Sequence, residues 1–212
     1  MAHSTPRLWT TLSFTLEKPT EIPILQAINN WLQLSDNLPL TICIFHYIQR
    51  QYFKQACASP EICEPVIDAL NQHSGRWGQV VLSLPPRYFS RFCGTSPLSH
   101  LYDLRVINCG PLLNINAVSP IFRMNSKPSP TNLTIQNFRL SAIDIGWSNL
   151  TTLVIGGMTI NERMEVIQRA PLLESCTLLD FSPFTHRSIP KTICISECWI
   201  PLDRRRVIHQ PH

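Results

Sequence analysis

The chain has 212 residues, 44% of them hydrophobic and 15% charged, a globular composition that excludes a disordered polymer. Its net charge of +4 rests largely on one run, Arg204, Arg205 and Arg206; without that run 15 basic side chains face 14 acidic ones. A groove that tracks phosphates needs cations spread over a face with aromatics between them, so no nucleic-acid partner is expected and the run reads as a solvated basic tail.

The stretch from Met1 to Lys18 carries one early cation, Arg7, and its apolar residues are interrupted by Thr10, Thr11, Ser13 and Thr15. It therefore lacks the apolar centre of a secretory signal and the roughly 20 apolar residues of a membrane span, and a cytoplasmic or nuclear location is expected, without membrane contact. Cysteines stay reduced there. The first apolar-x-apolar pair, Leu12/Phe14, predicts a short strand. Ile24, Leu25, Ile28, Trp31 and Leu32 then recur at helical spacing behind Pro23. Leu40/Ile42 predicts the second strand, and Val66, Ile67, Ala69 and Leu70 predict a second helix starting at Glu64 and Pro65. Further pairs follow at Leu82/Leu84 and Leu104/Val106. The Ser-, Asn- and Pro-rich stretch from Asn114 to Pro130 reads as a loop. Leu133/Ile135 and Leu153/Ile155 come next, with an extra pair, Ile143/Ile145, too close to Leu153 to be a full unit. Thr159 and Glu162 form a T-x-x-E capping box ahead of Met164, Val166, Ile167 and Ala170, and Pro171 stops that helix. Cys176/Leu178 is the last pair.

The first members of the seven pairs lie 28, 42, 22, 29, 20 and 23 residues apart. Five of these intervals fit the period of leucine-rich repeats, and the longest spans an extra predicted helix. Leu101, Leu104, Val106 and Cys109 fit the template L-x-x-L-x-L-x-x-N/C, with valine at the third leucine. Leu150, Leu153 and Ile155 fit its first three positions, with Met158 at the polar one, and Leu173, Cys176 and Leu178 give a third copy. Strands alternating with helices through short connections pair in parallel. The expected fold is α/β: a leucine-rich-repeat-like curved solenoid, with parallel strands on the concave face and helices on the convex face. Residues 1–187 form this domain, and residues 188–212, which lack the leucine spacing, form an irregular basic tail. Leu104, Leu153 and Leu178 are expected to point into the core.

Four stretches carry a family resemblance: Ser4-Thr5-Pro6-Arg7-Leu8-Trp9, Trp31-Leu32 through Ser35 to Leu38-Pro39-Leu40, Arg76-Trp77, and Ile145 through Trp147-Ser148-Asn149-Leu150-Thr151 to Ala170-Pro171-Leu172-Leu173. In this order and spacing the chain resembles the leucine-rich-repeat region of F-box-like proteins of mushroom-forming (agaricomycete) fungi. The resemblance covers roughly residues 4–180. It implies the substrate-recognition region of an F-box-type receptor in an SCF ubiquitin ligase, in which a helical F-box binds a Skp-type adaptor and the repeats hold the protein to be modified. The Thr5-to-Trp9 stretch sits just after the F-box in that family, so a Skp-type adaptor is expected only if an F-box lies upstream.

No residues point to catalysis. There is no G-x-S-x-G elbow and no phosphate-cradling glycine motif among only seven glycines, and the carboxylates Glu162 and Glu165 read as a helix cap and a solvated face rather than a catalytic pair. His46, His73 and His100 lie in surface-like segments. The eight cysteines form no paired C-x2-C knuckles, so neither a metal nor any other cofactor is expected, and Cys43, Cys109 and Cys176 read as small core hydrophobes. Trp9, Trp31, Trp77 and Trp147 lie beside strand starts or on an apolar helix face and read as core residues rather than binding anchors. The sequons Asn132-Leu133-Thr134 and Asn149-Leu150-Thr151 fall where strands are expected and read as chance. The function expected is a non-enzymatic protein-binding scaffold; the alternatives are a repeat protein unrelated to ubiquitin transfer and a hydrolase. With alternate residues inward, those between them face the concave side. The candidate partner-binding residues are Asp103, Arg105, Thr152, Val154, Ser175 and Thr177.

Overall fold

The computed structural model describes residues 5–15, 24–46, 60–95, 100–109, 121–180 and 189–194. In chain order these form β1 (Thr11–Thr15), α1 (Ile24–Leu34), β2 (Leu40–Phe45), α2 (Pro60–Gln72), β3 (Trp77–Leu84), α3 (Pro86–Phe89), β4 (Asp103–Asn108), β5 (Phe122–Arg123), β6 (Asn132–Gln136), β7 (Ile143–Asp144), β8 (Thr152–Gly156), α4 (Ile160–Arg169), β9 (Ser175–Asp180) and β10 (Ile189–Cys194). Eight strands make one sheet in the order β1-β2-β3-β4-β6-β8-β9-β10. The seven from β1 to β9 pair in parallel, and β10 closes the edge antiparallel to β9. The chain is thus α/β with a mainly parallel sheet. β10 lies inside the segment read as a tail, while Arg204, Arg205 and Arg206 lie outside the described residues.

Two inward rows form the strand side of the core. Leu12, Ile42, Val80, Leu104, Leu133, Leu153 and Cys176 stand in register across seven strands, and Phe14, Ile44, Leu82, Val106, Ile135, Ile155 and Leu178 form the second row. Leu104 and Leu153 are buried, whereas Leu178 is only partly buried at the margin of the cluster. Two expected pairs are displaced by two residues: Ile42/Ile44 replaces Leu40/Ile42, and Val80/Leu82 replaces Leu82/Leu84. The cause is local. Leu40 pairs with Trp77, the register then shifts, and Gly78 is taken up as the extra residue. The register-matched residues lie 30, 38, 24, 29, 20 and 23 positions apart.

The helices cover these rows. Ile28 and Leu32 of α1, Cys63, Val66, Ile67 and Leu70 of α2, and Val166 of α4 join the strand residues in one buried cluster. Burial of each such aliphatic side chain is worth about 1.5–3 kcal/mol. α2 starts earlier than the sequence pattern indicates, at Pro60, and takes Pro65 into its interior. Proline there donates no N–H to the preceding turn, a cost offset by the buried face on both sides of it. α4 begins with the expected reciprocal cap: the Thr159 N–H donates to Glu162 Oε2 at 2.9 Å, and the Glu162 N–H donates to Thr159 Oγ1 at 3.4 Å. Met164, expected on the apolar face of α4, is instead exposed together with Ile160 one turn earlier.

Several of the residues that carry the resemblance make structural contacts. Arg76 donates through Nε to the Leu38 carbonyl at 3.0 Å, through Nη1 to the Leu32 carbonyl at 3.3 Å and through Nη2 to Ser35 Oγ at 2.6 Å. One guanidinium thus joins a carbonyl of the last turn of α1 to the Ser35 hydroxyl just after it and to the Leu38 carbonyl before β2. Trp77 and Trp147 are buried, while Trp9 and Trp31 are half-buried and meet edge to face at 4.9 Å. The extra pair at Ile143/Ile145 also finds a place. β7 pairs in parallel with β5, a two-residue strand inside the stretch read as a loop, and Ile143 and Phe122 are both buried.

Candidate functional site

The strand starts carry a hydrogen-bond device that recurs from unit to unit. The Tyr102 carbonyl accepts the N–H groups of Thr131 and Asn132 at 3.1 and 2.9 Å. The Thr131 carbonyl accepts those of Thr151 and Thr152 at 2.9 and 3.0 Å, and the Thr151 carbonyl those of Glu174 and Ser175 at 2.9 and 3.0 Å. The threonine hydroxyls of Thr131 and Thr151 add a third donor to the first two carbonyls. β6, β8 and β9 are therefore each pinned to the preceding strand at their entry, and the side chains that follow are set in line.

Three rows of side chains result on the sheet face turned away from the helices. The first is Thr11, Thr41, Gln79, Asp103, Asn132, Thr152 and Ser175; the second is Ser13, Cys43, Val81, Arg105, Thr134, Val154 and Thr177. The third is Thr15, Phe45, Ser83, Ile107, Gln136, Gly156 and Leu179. All six candidate residues fall on this face, with Asp103, Thr152 and Ser175 in the first row and Arg105, Val154 and Thr177 in the second. Thr152 and Arg105 are exposed; Val154, Ser175 and Thr177 are half-buried.

Asp103 and Arg105 are not two independent charges. Arg105 donates through Nε at 3.2 Å and Nη2 at 2.9 Å to the two Asp103 carboxylate oxygens, and Gln79 Nε2 adds a third bond at 3.0 Å. The Asp103 side chain keeps 8% of its exposure and the Arg105 side chain 48%, so the carboxylate lies beneath the guanidinium. The hydrogen bonds to Asp103 raise the Arg105 pKa further above its ordinary value. Charge-assisted bonds of this bidentate kind hold both partners in fixed geometry.

Cys43 corrects the sequence reading. It lies on this face, two strands from Arg105, rather than in the core; Cys176 does lie in the core, and Cys109 is half-buried after β4. Burial pushes the Cys43 thiol above its ordinary pKa, with Arg105 pulling the other way, so it carries a thiol at neutral pH and not the nucleophilic thiolate. Among the described residues, no group of His, Cys, Asp and Glu is placed to hold a metal ion, and no helix is long and apolar enough to cross a membrane.

Compared with protein-family models, with curated proteins and with solved structures, the chain matches none.

The polar template position is also displaced. Asn108, one residue before Cys109, makes a turn contact after β4: its Nδ2 donates to the Asn137 carbonyl at 3.1 Å, and Asn137 Nδ2 returns a bond to the Asn108 carbonyl at 2.9 Å. Asn137 sits at φ 61 and the next unit has Gly157 at φ 76, where an added Cβ would lie 2.8 Å from Asn137 Oδ1. The left-handed turn thus passes from asparagine to glycine along the sheet. Asn132 and Thr134 were missed as candidates, although alternation around Leu133/Ile135 marks both. Gln79 and Cys43 were hidden by the displaced pairs in β2 and β3. The two sequons are split: Asn132 lies on the row, and Asn149 is exposed in the turn before β8.

Proposed function

We propose that this chain is a non-enzymatic protein-binding scaffold, a leucine-rich-repeat-like curved solenoid whose parallel strands line the concave face and whose helices lie on the convex one. In this reading it works in the cytoplasm or nucleus as the substrate-recognition region of an F-box-type (SCF ubiquitin ligase) receptor. The observation that supports it most directly is the register of the outward rows, which run unbroken over seven parallel strands. Side chains repeated at the strand spacing of about 4.8 Å form a continuous patch instead of scattered points. The recurring carbonyl staples at Tyr102, Thr131 and Thr151 support a repeat architecture, and the resemblance supplies the ubiquitin role. A Skp-type adaptor belongs to this reading through an F-box upstream of the repeats.

The test is the double substitution Thr134→Lys and Thr152→Arg, which places two bulky cations on the patch and leaves the Asp103–Arg105 pair intact. Thermal unfolding should match the unsubstituted protein, while a protein recovered with it from cells is lost. Unchanged recovery with the fold intact removes the face as the site. If the recovered protein keeps its abundance when this chain is deleted, the ubiquitin role fails and a repeat protein of another kind remains.

A further inference from the structure

α4 is anchored on one flank and bare on the other. It packs Val166 and Ala170 into the core, and its Glu162 carboxylate accepts the Leu140 N–H at 3.0 Å and pairs with Arg139 at 3.4 Å, so this flank faces the preceding turn. At 3.6 residues per turn, Ile160, Met164 and Ile167 stand about 140–160° around the helix from Glu162. That opposite flank turns toward the β10 end of the sheet. Among the described residues no helix follows α4 to meet it. Ile160 and Met164 are accordingly 66% and 51% exposed, and Leu172, just beyond the helix, is 56% exposed. Leu178 of β9 is only partly buried, while its row neighbours Ile135 and Ile155 are fully enclosed. The apolar core is open at this end. Proteins built of stacked units close such an end with a terminal segment whose outer side is polar.

β10 determines which part of the chain lies within reach. It runs antiparallel to β9 and pairs Cys194 with Ser175, so the chain leaves the sheet at the entry of β9, where Leu172 and Leu173 arrive from α4. Next in sequence come Ile195, Ser196, Glu197, Cys198, Trp199, Ile200, Pro201 and Leu202, followed by Asp203 and the arginine run at 204–206. These residues lie outside the described part of the chain. We propose that residues 195–202 fold back along α4, cover Ile160, Met164 and Leu172, and close the open end of the core. Eight extended residues reach about 26 Å, whereas a ten-residue helix such as α4 spans about 15 Å, so the segment is long enough to pass from Leu172 to Ile160. Trp199 is the anchor, since an aromatic side chain brings the largest apolar area. The charged run after Leu202 then supplies the polar outer rim. A segment tethered at Cys194 acts at an effective concentration on the order of millimolar, which favours it over a second copy of the chain for the same surface. This closure does not depend on what the opposite sheet face binds.

The test reads the thioether of Met164, which peroxide converts to the sulfoxide more slowly when it is covered. Oxidation is followed by peptide mass spectrometry in the full chain and in its double variant Trp199→Ser, Ile200→Ser. Met164 should oxidise at least about fivefold more slowly in the unsubstituted chain than in the variant, with the buried Met158 slow in both. Equal Met164 rates with Met158 protected overturn the proposal, because Met164 is then either open or covered by something other than residues 195–202. Protection that disappears on dilution, together with a sedimentation shift from dimer to monomer, assigns the surface to a second copy and overturns it as well. If the variant also exposes Met158, and so has lost its fold, the decision passes to Met164→p-benzoylphenylalanine in the otherwise unsubstituted chain. Its photo-adduct should map to residues 195–202 of the same molecule. An adduct at any other segment, an adduct between two molecules, or no adduct overturns the proposal.

Discussion

The sheet divides into an early part, β1 to β3, and a later part, β4 to β9, that reach the same geometry by different means. In the early part the connections are long, α1 and α2 fill them, and a single register shift at Leu40 and Trp77 accommodates the extra length. In the later part the strands are pinned by repeated carbonyl staples, and most of the backing comes from short turns, the β5–β7 pair and α4. β3 shows the contrast in its own residues. Val80, Val81 and Leu82 are all buried, so its sequence is an apolar run, whereas β6 alternates throughout between buried and half-buried positions and β8 alternates as far as Ile155.

The largest effect should come from the inward row, which both parts share. Leu153→Ala is expected to cost about 2–5 kcal/mol and Leu178→Ala roughly half as much, since Leu178 is only partly buried. Urea unfolding of the two variants measures the difference. Equal costs would mean that the core does not thin out toward β9.

Arg76→Ala should act on the early part alone. It removes three hydrogen bonds, to Leu32 in the last turn of α1 and to Ser35 and Leu38 in the turn before β2, and is expected to cost about 1–3 kcal/mol. Amide exchange should rise over residues 24–46 and stay unchanged over residues 152–176. A uniform rise would show the two parts unfolding as one unit and erase the distinction.

The legibility of the sequence followed the same division. In the later part the pairs Leu104/Val106, Leu133/Ile135, Leu153/Ile155 and Cys176/Leu178 give the register directly, and with it all six candidate residues. Alternation is unambiguous there because one face is buried and the other is not. In β2 and β3 the apolar runs Leu40-Thr41-Ile42-Cys43-Ile44 and Val80-Val81-Leu82 offer two registers each, and only the bulge at Gly78 selects between them. The Asp103–Arg105 pair was legible as two positions but not as a closed bond, because spacing does not reveal which partner a guanidinium takes. The turn asparagine at Asn108 was displaced by one residue from its template position, a shift that depends on the left-handed backbone at Asn137.

The smallest effect concerns the later part and its dependence on pH. Partial burial opposes ionisation of Glu162, but hydrogen bonds from the Thr159 and Leu140 N–H groups and the nearby Arg139 outweigh it and hold its carboxyl below the ordinary value. A carboxyl with a depressed folded pKa contributes stability above its unfolded pKa and loses it as pH falls through the folded one. Glu162→Gln should therefore cost about 0.5–1.5 kcal/mol at neutral pH and nearly nothing under strongly acidic conditions. Thermal unfolding as a function of pH checks this, and a substitution cost independent of pH would refute it.

The carbonyl staples have a consequence for how such a chain can change length. Because β6, β8 and β9 are each tied to the preceding strand at their entry, the number of residues in the connection behind them is nearly free, and here it varies from 20 to 29 positions between register-matched residues without breaking a row. Insertion and deletion then become changes of thickness on one side of the molecule, invisible from the other. Excising one whole unit, such as the 20 residues from Leu133 through Thr152, would leave Leu153 to follow directly on Asn132, which the Tyr102 carbonyl holds, and Val154 to occupy the place of Thr134. The molecule is built like a rack with interchangeable shelves: the order in which side chains are displayed can be edited one shelf at a time, while the spacing between them stays fixed.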